Sequence, residues 1–316
     1  MNSARKVVAF SIWLVGSQVH AFDNIRTLEP VNTFEIAMRA DQRITDFIVT
    51  GSTLAFLVSD KDPRNTCFLI RSDLFGVEQI RVALPSRPEQ PAAIRFDAAT
   101  GFAVLYSSGG LVLLLNAAGG VTSQVSLPYT AVAIEFVGGS LVGANSDMVF
   151  PIAVPLLGSA SPVHYGRGRV IEYLQTAPLS ETSLAVADLV EGSVSFLDLR
   201  SGQVRTAVLH APEIIRVPLT PGKPPILRPT LAASPGGKLF CNVNNFQLAS
   251  GAVVLRVSAD GTVEQSLHCL LPKFAGERRQ FNPDGHMLPP YHLAVTNRNL
   301  YLANATRVVI YRLPQD

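Results

Sequence analysis

Short apolar segments separated by polar turns make up most of this chain, and residues 54–58 and 67–71 are two of them, each the length of a β-strand. Turns that combine glycine and valine follow such segments at near-constant spacing: Gly76-Val77, Gly120-Val121, Gly202-Gln203-Val204 and Gly261-Thr262-Val263. The strand after each turn ends at a proline: Pro85, Pro128, Pro212 and Pro272. A period of about 40 to 50 residues made of short strands is typical of a β-propeller, with one blade per repeat.

Further copies of the second and third strands of a blade lie in residues 101–116, 183–199, 238–257 and 299–313. These strands are apolar on both faces, which indicates that both faces are covered. In a propeller the neighbouring blades provide that cover. Parallel α/β folds also contain such strands, but they need a helix in each connection, and here the connections are tight turns such as Asp260-Gly261. The pattern therefore predicts an all-β fold of hairpin-linked sheets.

The spacing predicts six blades, at residues 44–85, 92–128, 130–168, 169–212, 226–272, and 291–313 together with 33–39. The last repeat has only three strands. We expect the N-terminal segment 33–39 to complete its sheet, because an open edge would otherwise invite pairing with another chain. The third repeat lacks the regular turn, and residues 169–175 fit either the last strand of blade three or the first strand of blade four. Seven blades would require a repeat that we do not find.

The first 21 residues differ from the rest of the chain. Arg5 and Lys6 precede the apolar run 7–16 and then Val19-His20-Ala21, a small-residue cleavage site. This pattern predicts a secretory signal peptide at residues 1–21 and a single propeller domain at residues 22–316. An uncleaved anchor is the alternative, but the run is shorter than the roughly 20 residues of a membrane span. We expect a periplasmic or secreted protein with no membrane span after cleavage.

Composition favours a well-packed core, because 47% of the 316 residues are hydrophobic and only 16% are charged. The formal net charge of +2 comes from the predicted signal peptide, and the remaining basic and acidic residues are equal in number. We predict a monomer with no nucleic-acid partner.

The three cysteines, Cys67, Cys241 and Cys269, are too few for a disulfide framework. Cys241 and Cys269 belong to the second and fourth strands of one blade, beyond the roughly 7 Å reach of a disulfide, so all three are predicted to be free.

Two stretches, SPGGKLFCNVNNFQLASGAVVLRVSADGTVEQSL (234–267) and YHLAVTNRNLYLANATRVVIYRL (291–313), resemble the repeats of NHL-type propellers and of gluconolactonase-like (senescence marker protein) propellers. The stretch SLAVADLVEGSVSFLDLRSGQV (183–204) is similar to the repeats of surface-layer and quinoprotein-like propellers. The resemblance covers most of the chain after the signal peptide. It is a resemblance of blade pattern, and so it implies a fold more than an activity.

The gluconolactonase-like resemblance implies a divalent metal in the central channel, held by an early glutamate and by later asparagine and aspartate residues. The nearest matches are Glu29-Pro30 and the cluster Asn242, Asn244 and Asn245. They fit poorly, because the family's glutamate lies in a Glu-Gly-Pro setting and because Asn-rich bends are ordinary turns. No dense acidic set offers the ~6 to 8 oxygen ligands of Ca²⁺. No cofactor is identified.

The sequence contains no nucleophile elbow, zincin motif, P-loop or dinucleotide-binding fingerprint. The segment Ser258-Ala259-Asp260-Gly261 is similar in part to the aspartate box of sialidases, but it lacks the spacer and the aromatic residue of that motif. Asp-Gly is ordinary hairpin chemistry, so we predict a turn there.

Asp284, His286 and His292 lie close together just before an inner strand. At the channel mouth they would be able to bind a transition metal or to act as acid and base. The alternative is a proline-stiffened loop with solvated histidines. The alternative is favoured, because no further ligand residue lies nearby in sequence.

The long connections between blades, at residues 85–91, 158–169, 211–230 and 272–291, are predicted to emerge on one face of the disc. They carry nine basic residues against four acidic ones: Arg87, Arg167, Arg169, Arg216, Lys223, Arg228, Lys273, Arg278 and Arg279 against Glu89, Glu213, Glu277 and Asp284. Long loops often carry function. We predict a binding face with His164, Tyr165, Arg167, Arg278 and Arg279 near its centre; the alternative is a merely solvated rim.

Two functions remain open. A binding module would present this face to an acidic protein, a glycan or a small anionic ligand. A propeller enzyme, such as a metal-dependent lactonase-like hydrolase, would concentrate titratable groups on the strands that line the channel. Among the predicted inner strands, 44–49, 92–96, 131–136 and 292–295, the acids are Asp46 and Glu135. This small number favours the binding module.

Overall fold

The computed structural model describes residues 25–60, 66–85, 87, 91–106, 110–153, 161–165, 174–188, 193–209, 230–243, 251–272, 292–304 and 306–315. These residues form 25 strands and no helix, arranged as six sheets. Accordingly, no helix in the described ranges is long and apolar enough to cross a membrane. The predicted signal peptide, residues 1–21, lies outside them.

The N-terminal strands are β1 (Ile25–Leu28) and β2 (Pro30–Glu35). Blade one contains β3 (Gln42–Thr50), β4 (Thr53–Asp60), β5 (Cys67–Asp73) and β6 (Glu78–Leu84). Blade two contains β7 (Pro91–Asp97), β8 (Gly101–Tyr106), β9 (Leu111–Leu115) and β10 (Val121–Ser126). Blade three contains β11 (Ala133–Val137), β12 (Ser140–Ala144), β13 (Met148–Ala153) and β14 (Val163–His164).

Blade four contains β15 (Gln175–Pro178), β16 (Ser183–Asp188), β17 (Ser193–Asp198) and β18 (Val204–Val208). Blade five contains β19 (Thr230–Ala233), β20 (Leu239–Val243), β21 (Gly251–Val257) and β22 (Val263–Leu270). Blade six contains β23 (His292–Val295), β24 (Asn299–Ala303) and β25 (Arg307–Arg312). The first strand of each blade contacts the first strands of the two neighbouring blades, which closes a ring around a central channel. The fold is therefore the predicted six-bladed β-propeller.

Six apolar clusters form the core, one between each pair of neighbouring blades. In blade five, for example, Cys241, Val253 and Leu255 face blade four, whereas Phe240 and Val254 face blade six. This arrangement explains why the middle strands are apolar on both faces. The outer strands β6, β10 and β18 have mainly exposed or half-buried residues, because nothing covers their outer sides.

The N-terminal segment spans two blades. β2 pairs antiparallel with β25 and completes blade six, which confirms the predicted closure. The strand lies at residues 30–35 instead of the predicted 33–39. Its ladder ends where the Ile36 amide bonds to Thr306, and the chain then turns toward blade one. β1 pairs parallel with β22 and adds a fifth strand to blade five, which was not predicted. Residues 25–35 are hereafter called the N-terminal strap.

The recurring glycine turns also hold an acidic or amide side chain at their start. The Asp73 carboxylate accepts hydrogen bonds from the amides of Phe75 and Val77, and Asn116 and Asp198 accept equivalent bonds in blades two and four. The glycine that ends each turn has a positive φ, between +72° and +87°, at Gly76, Gly119, Gly202 and Gly261. In blade two this residue is Gly119, not the Gly120 of the predicted turn.

Gly261 and Gly202 offer a test of how closely the blades approach. Both have a positive φ, but a Cβ on Gly261 would lie 2.1 Å from the Cβ of Ala207 in blade four, whereas a Cβ on Gly202 would meet nothing within 4 Å. Gly202→Ala should cost about 1–2 kcal/mol of unfolding free energy from the left-handed backbone alone. Gly261→Ala should cost about 1–3 kcal/mol more, because one strand must move. Denaturant unfolding of both variants measures the difference, and equal losses would contradict the close approach.

The boundary between blades three and four falls where the sequence left it open. The first strand of blade four begins at Gln175, and β14 of blade three has only two residues. The irregular third repeat is therefore also the one with the shortest outer strand.

All three cysteines are free and buried, as predicted. Burial raises the pKa of Cys67 to about 11 and those of Cys241 and Cys269 to about 12, so these thiols remain protonated at neutral pH.

A polar ring in the central channel

The channel contains a cavity of about 190 Å³ that is lined by residues from all six blades. Each innermost strand contributes at least one polar side chain. We call six of these residues the polar ring: Asp46, Arg95, Glu135, Gln175, Thr230 and His292. Thr176 lies beside Gln175 and also lines the cavity. The two acids predicted for the inner strands, Asp46 and Glu135, are the acidic residues among those that line this cavity, but a count of acids leaves out Arg95 and His292.

Arg95 links three blades. Its Nη1 lies 2.7 Å from Asp46 Oδ2 in blade one, and its Nε lies 2.7 Å from Glu135 Oε2 in blade three. All three side chains are at most 16% exposed. Burial opposes the charge on Arg95, but the attraction of Glu135 and Asp46 outweighs it and raises the pKa of the guanidinium. Arg95 therefore carries a permanent charge between two carboxylates.

Backbone groups complete this network. Asp46 accepts hydrogen bonds from the amides of Phe47 and Ile94, and Glu135 accepts one from the amide of Phe136. Arg95 Nη1 also donates to the carbonyl of Ile94. Burial raises the pKa of Glu135, and the pairing with Arg95 acts in the opposite direction. Each of the three ionised groups thus has a counter-charge and a backbone partner.

His292 stands next to this network on the first position of β23. Its Nδ1 lies 3.7 Å from Asp46 Oδ1, which is beyond hydrogen-bond distance but close enough for electrostatic attraction. Burial lowers the pKa of His292, Asp46 partly opposes this effect, and the nearby Arg95 and Arg43 add to it. The imidazole is therefore neutral at neutral pH.

The low pKa of His292 makes a pH-dependent contribution to stability. The unfolded chain takes up the proton at a pKa of about 6.5, and the folded protein takes it up only at a lower pH. The unfolding free energy should therefore fall as the pH decreases below about 6.5. His292→Gln removes this contribution. We expect the difference in unfolding free energy between wild type and variant to be constant above pH 7. Below pH 6 the wild type should lose more unfolding free energy than the variant. A difference that is independent of pH would contradict the lowered pKa of His292.

The channel is polar at one end and apolar at the other. In β19 and β23 the polar residue is the first of the strand, and apolar residues follow it; in β15 the apolar residues follow Gln175 and Thr176. The innermost strands of a propeller run in the same direction, so the polar ring lies at the end where the blade-to-blade connections enter. The remainder we call the apolar segment; it includes Ile48, Val49, Phe96, Ala177, Ala232 and Val295.

Several polar groups of the channel have no protein partner in the described part of the chain. The Thr176 hydroxyl is one of them, but its neighbours enclose it and it is not accessible from the cavity. The Arg95 Nη2 group and the Gln175 amide also have none, since the hydrogen bonds of Arg95 involve only Nε and Nη1 and those of Gln175 only its backbone. Buried polar groups without partners in a cavity are usually satisfied by water or by a ligand.

The structure places only some of the residues predicted for the loop-bearing face. The His164 Nδ1 lies 3.0 Å from Asp147 Oδ2, and its side chain is 64% exposed. The Tyr165 hydroxyl donates to the carbonyl of Asn145. These residues lie at the edge of blade three, at the same end as the blade-to-blade connections. The other central residues of the predicted face, Arg167, Arg278 and Arg279, lie outside the described residues.

The histidine and metal hypotheses have different outcomes. His292 lies in the channel and faces Asp46; its predicted neighbours Asp284 and His286 are outside the described ranges. Glu29 lies between β1 and β2 on the outer edge of the disc, so it does not face the channel. Asn242 is buried in β20, the second strand of its blade, and Asn244 and Asn245 are not described. The described residues contain no group of three or more side chains that could hold a metal ion.

Comparison with known proteins supports the fold. No protein-family model and no curated protein sequence matches the chain. Among solved structures, a virginiamycin B lyase from Staphylococcus aureus has a TM-score of 0.53 and 10% identity over 90% of this chain and 99% of its own. The RRP9 WD40 repeats have a TM-score of 0.58 and 12% identity over 90% and 100%. The Pan2 WD40 domain of Neurospora crassa has a TM-score of 0.52 and 13% identity over 90% and 79%.

Identities this low indicate a shared fold and no more. The neighbours include WD40 propellers and a lyase, and their likeness to this chain is one of fold alone. The resemblance to NHL-type, gluconolactonase-like and quinoprotein-like repeats is supported as far as the propeller architecture. The chain is a six-bladed β-propeller that carries a polar ring at one end of its channel.

Proposed function

We propose that this protein is a binding module that holds a small ligand in its central channel and acts after export to the periplasm or the cell exterior. The observation that carries the proposal is the polar ring, in which all six innermost strands contribute a polar side chain to one cavity. A concave site with an apolar wall and a few convergent polar groups is typical of small-molecule binding. The predicted signal peptide supports the location.

A channel-filling variant tests the proposal. Ala232 lines the cavity, so Ala232→Phe should fill part of it. The purified protein is incubated with the small-molecule fraction of a cell extract, separated from unbound molecules and analysed by mass spectrometry. We expect a ligand that wild type retains and Ala232→Phe does not. Val121→Ser, on the exposed outer strand of blade two, is the control and should retain it. A ligand held equally by all three proteins would place binding outside the channel.

A larger partner at the loop-bearing face is a second proposal. β15 and β23 begin at Gln175 and His292 of the polar ring, and the sequence that precedes each of them is basic, which favours a combined surface for an acidic protein or an anionic glycan. Arg278→Glu with Arg279→Glu should weaken capture of such a partner and flatten its salt dependence. If capture and its salt dependence are unchanged, the basic residues do not bind a partner and are only solvated surface residues. The double variant should keep the wild-type melting temperature.

A further inference from the structure

The charges of the channel restrict the ligand that it can hold. Arg95 is already paired with Asp46 and Glu135 at 2.7 Å each. Two carboxylates and one guanidinium leave the network with a net charge of −1, which would repel an anionic ligand. A cationic ligand would be attracted by this charge, but each of the four carboxylate oxygens already accepts a hydrogen bond from Arg95 or from a backbone amide. A charged ligand would also lose its own hydration on entering the channel, and that loss is costly unless direct partners replace it.

The groups that are still able to bond are mostly neutral. They are the Gln175 amide and the imidazole of His292, together with the N–H groups of Arg95 Nη2. This set contains both donors and acceptors, so it matches a hydroxyl or a carbonyl, each of which can be satisfied by such groups without bringing a charge.

The apolar segment restricts the rest of the ligand. Below the polar ring the wall consists of residues such as Val49, Ala232 and Val295, which offer no polar side-chain atoms. A purely polar molecule would leave these apolar side chains in contact with water. The cavity of about 190 Å³ exceeds the roughly 150 Å³ of an apolar cavity that holds benzene, so a body the size of one ring fits.

From these observations we infer that the channel takes a small neutral amphiphile, with a hydroxyl or carbonyl head at the polar ring and an apolar body of about one ring in the apolar segment. This inference rests on the proposed channel-binding function and adds the chemical class of the ligand. It also separates the channel from the loop-bearing face, for which the sequence favours an anionic or acidic partner.

Three probes with one body and different heads test the inference: benzyl alcohol, benzoate and benzylammonium. Binding is followed by NMR of the methyl groups of Ile48, Val49 and Val295, which line the apolar segment. We expect benzyl alcohol to shift these methyl signals saturably, with a dissociation constant at least about tenfold lower than that of either charged probe. A charged probe that binds as tightly as benzyl alcohol overturns the inference.

A pair of matched variants ties the head group to the ring. Gln175→Met removes the side-chain amide and keeps a similar length, so it should weaken benzyl alcohol binding by about threefold to tenfold, the loss expected for one neutral hydrogen bond. The same change at Gln79, on the exposed outer strand β6, should leave binding unaffected. If no probe shifts the channel methyls, this inference is wrong, whereas the proposed function is judged separately by the extract experiment with Ala232→Phe.

Discussion

Arg95→Met should lower the unfolding free energy by about 3–5 kcal/mol at neutral pH, the cost of breaking a buried ion pair. The change leaves Asp46 and Glu135 in the channel without their counter-charge, and neither side chain is more than 16% exposed. Methionine fills a similar volume, so the loss measures the unpaired carboxylates more than a cavity. Denaturant unfolding measured against pH is the appropriate experiment.

The pH dependence distinguishes an electrostatic loss from a packing loss. Without Arg95 two buried negative charges have no counter-charge, so the deficit should be largest at neutral pH and should shrink in acid, where carboxyl groups lose their charge. Arg81→Met is a control at a more exposed pair with Glu78 and should cost at most about 1 kcal/mol. Adding Asp46→Asn and Glu135→Gln to Arg95→Met should recover part of the loss. A pH-independent deficit would show that the network contributes only packing.

Deletion of residues 22–39, which include the N-terminal strap, should remove most of the stability of the disc, a large part of the ~5–15 kcal/mol typical of a folded domain. Blade six would lose its outer strand, and blade five would lose β1 with the buried Leu28. The exposed edge of β25 would then be free to pair with other chains. Thermal unfolding and size-exclusion chromatography test both consequences.

A shorter deletion provides the comparison. Removing only residues up to Leu28 takes away β1 and leaves β2 in place, so blade six keeps its four strands. This variant should stay monomeric and should lose less stability than the longer deletion. A protein that lacks residues 22–39 but remains monomeric with the wild-type melting temperature would rule out closure by the strap.

The sequence predicts the architecture well because the relevant signals are local. A turn such as Asp198-Leu199-Arg200-Ser201-Gly202 combines a capping aspartate with a glycine of positive φ, and its recurrence indicates the blades. β1 was missed because it has four residues, of which only Leu28 is buried, and because its partner strand is parallel and distant in sequence. The local sequence of that segment does not predict a strand.

The polar ring is hidden for a different reason. Its members extend from Asp46 to His292 and lie on six separate strands, so no motif spacing connects them. Asp46 and Glu135 were recognised as acids on inner strands, but Arg95 was not, because a lone arginine in a strand is normally a surface residue. Alignment of the six repeats by their first strands would have placed these residues around one channel.

The strap also has a consequence for the order of folding. Glu35 in β2 pairs with Arg307 in β25, 272 positions later in the chain. At the usual ~5–20 residues per second of synthesis, the N-terminal strands wait for tens of seconds before their partner strand exists. During that time both the strap and the edge of each finished blade are exposed. Long-range pairing of this kind is slow, so two nascent copies have time to exchange their straps. Such a domain swap is the misassembly expected for this topology, and a chaperone that covers the strap would suppress it.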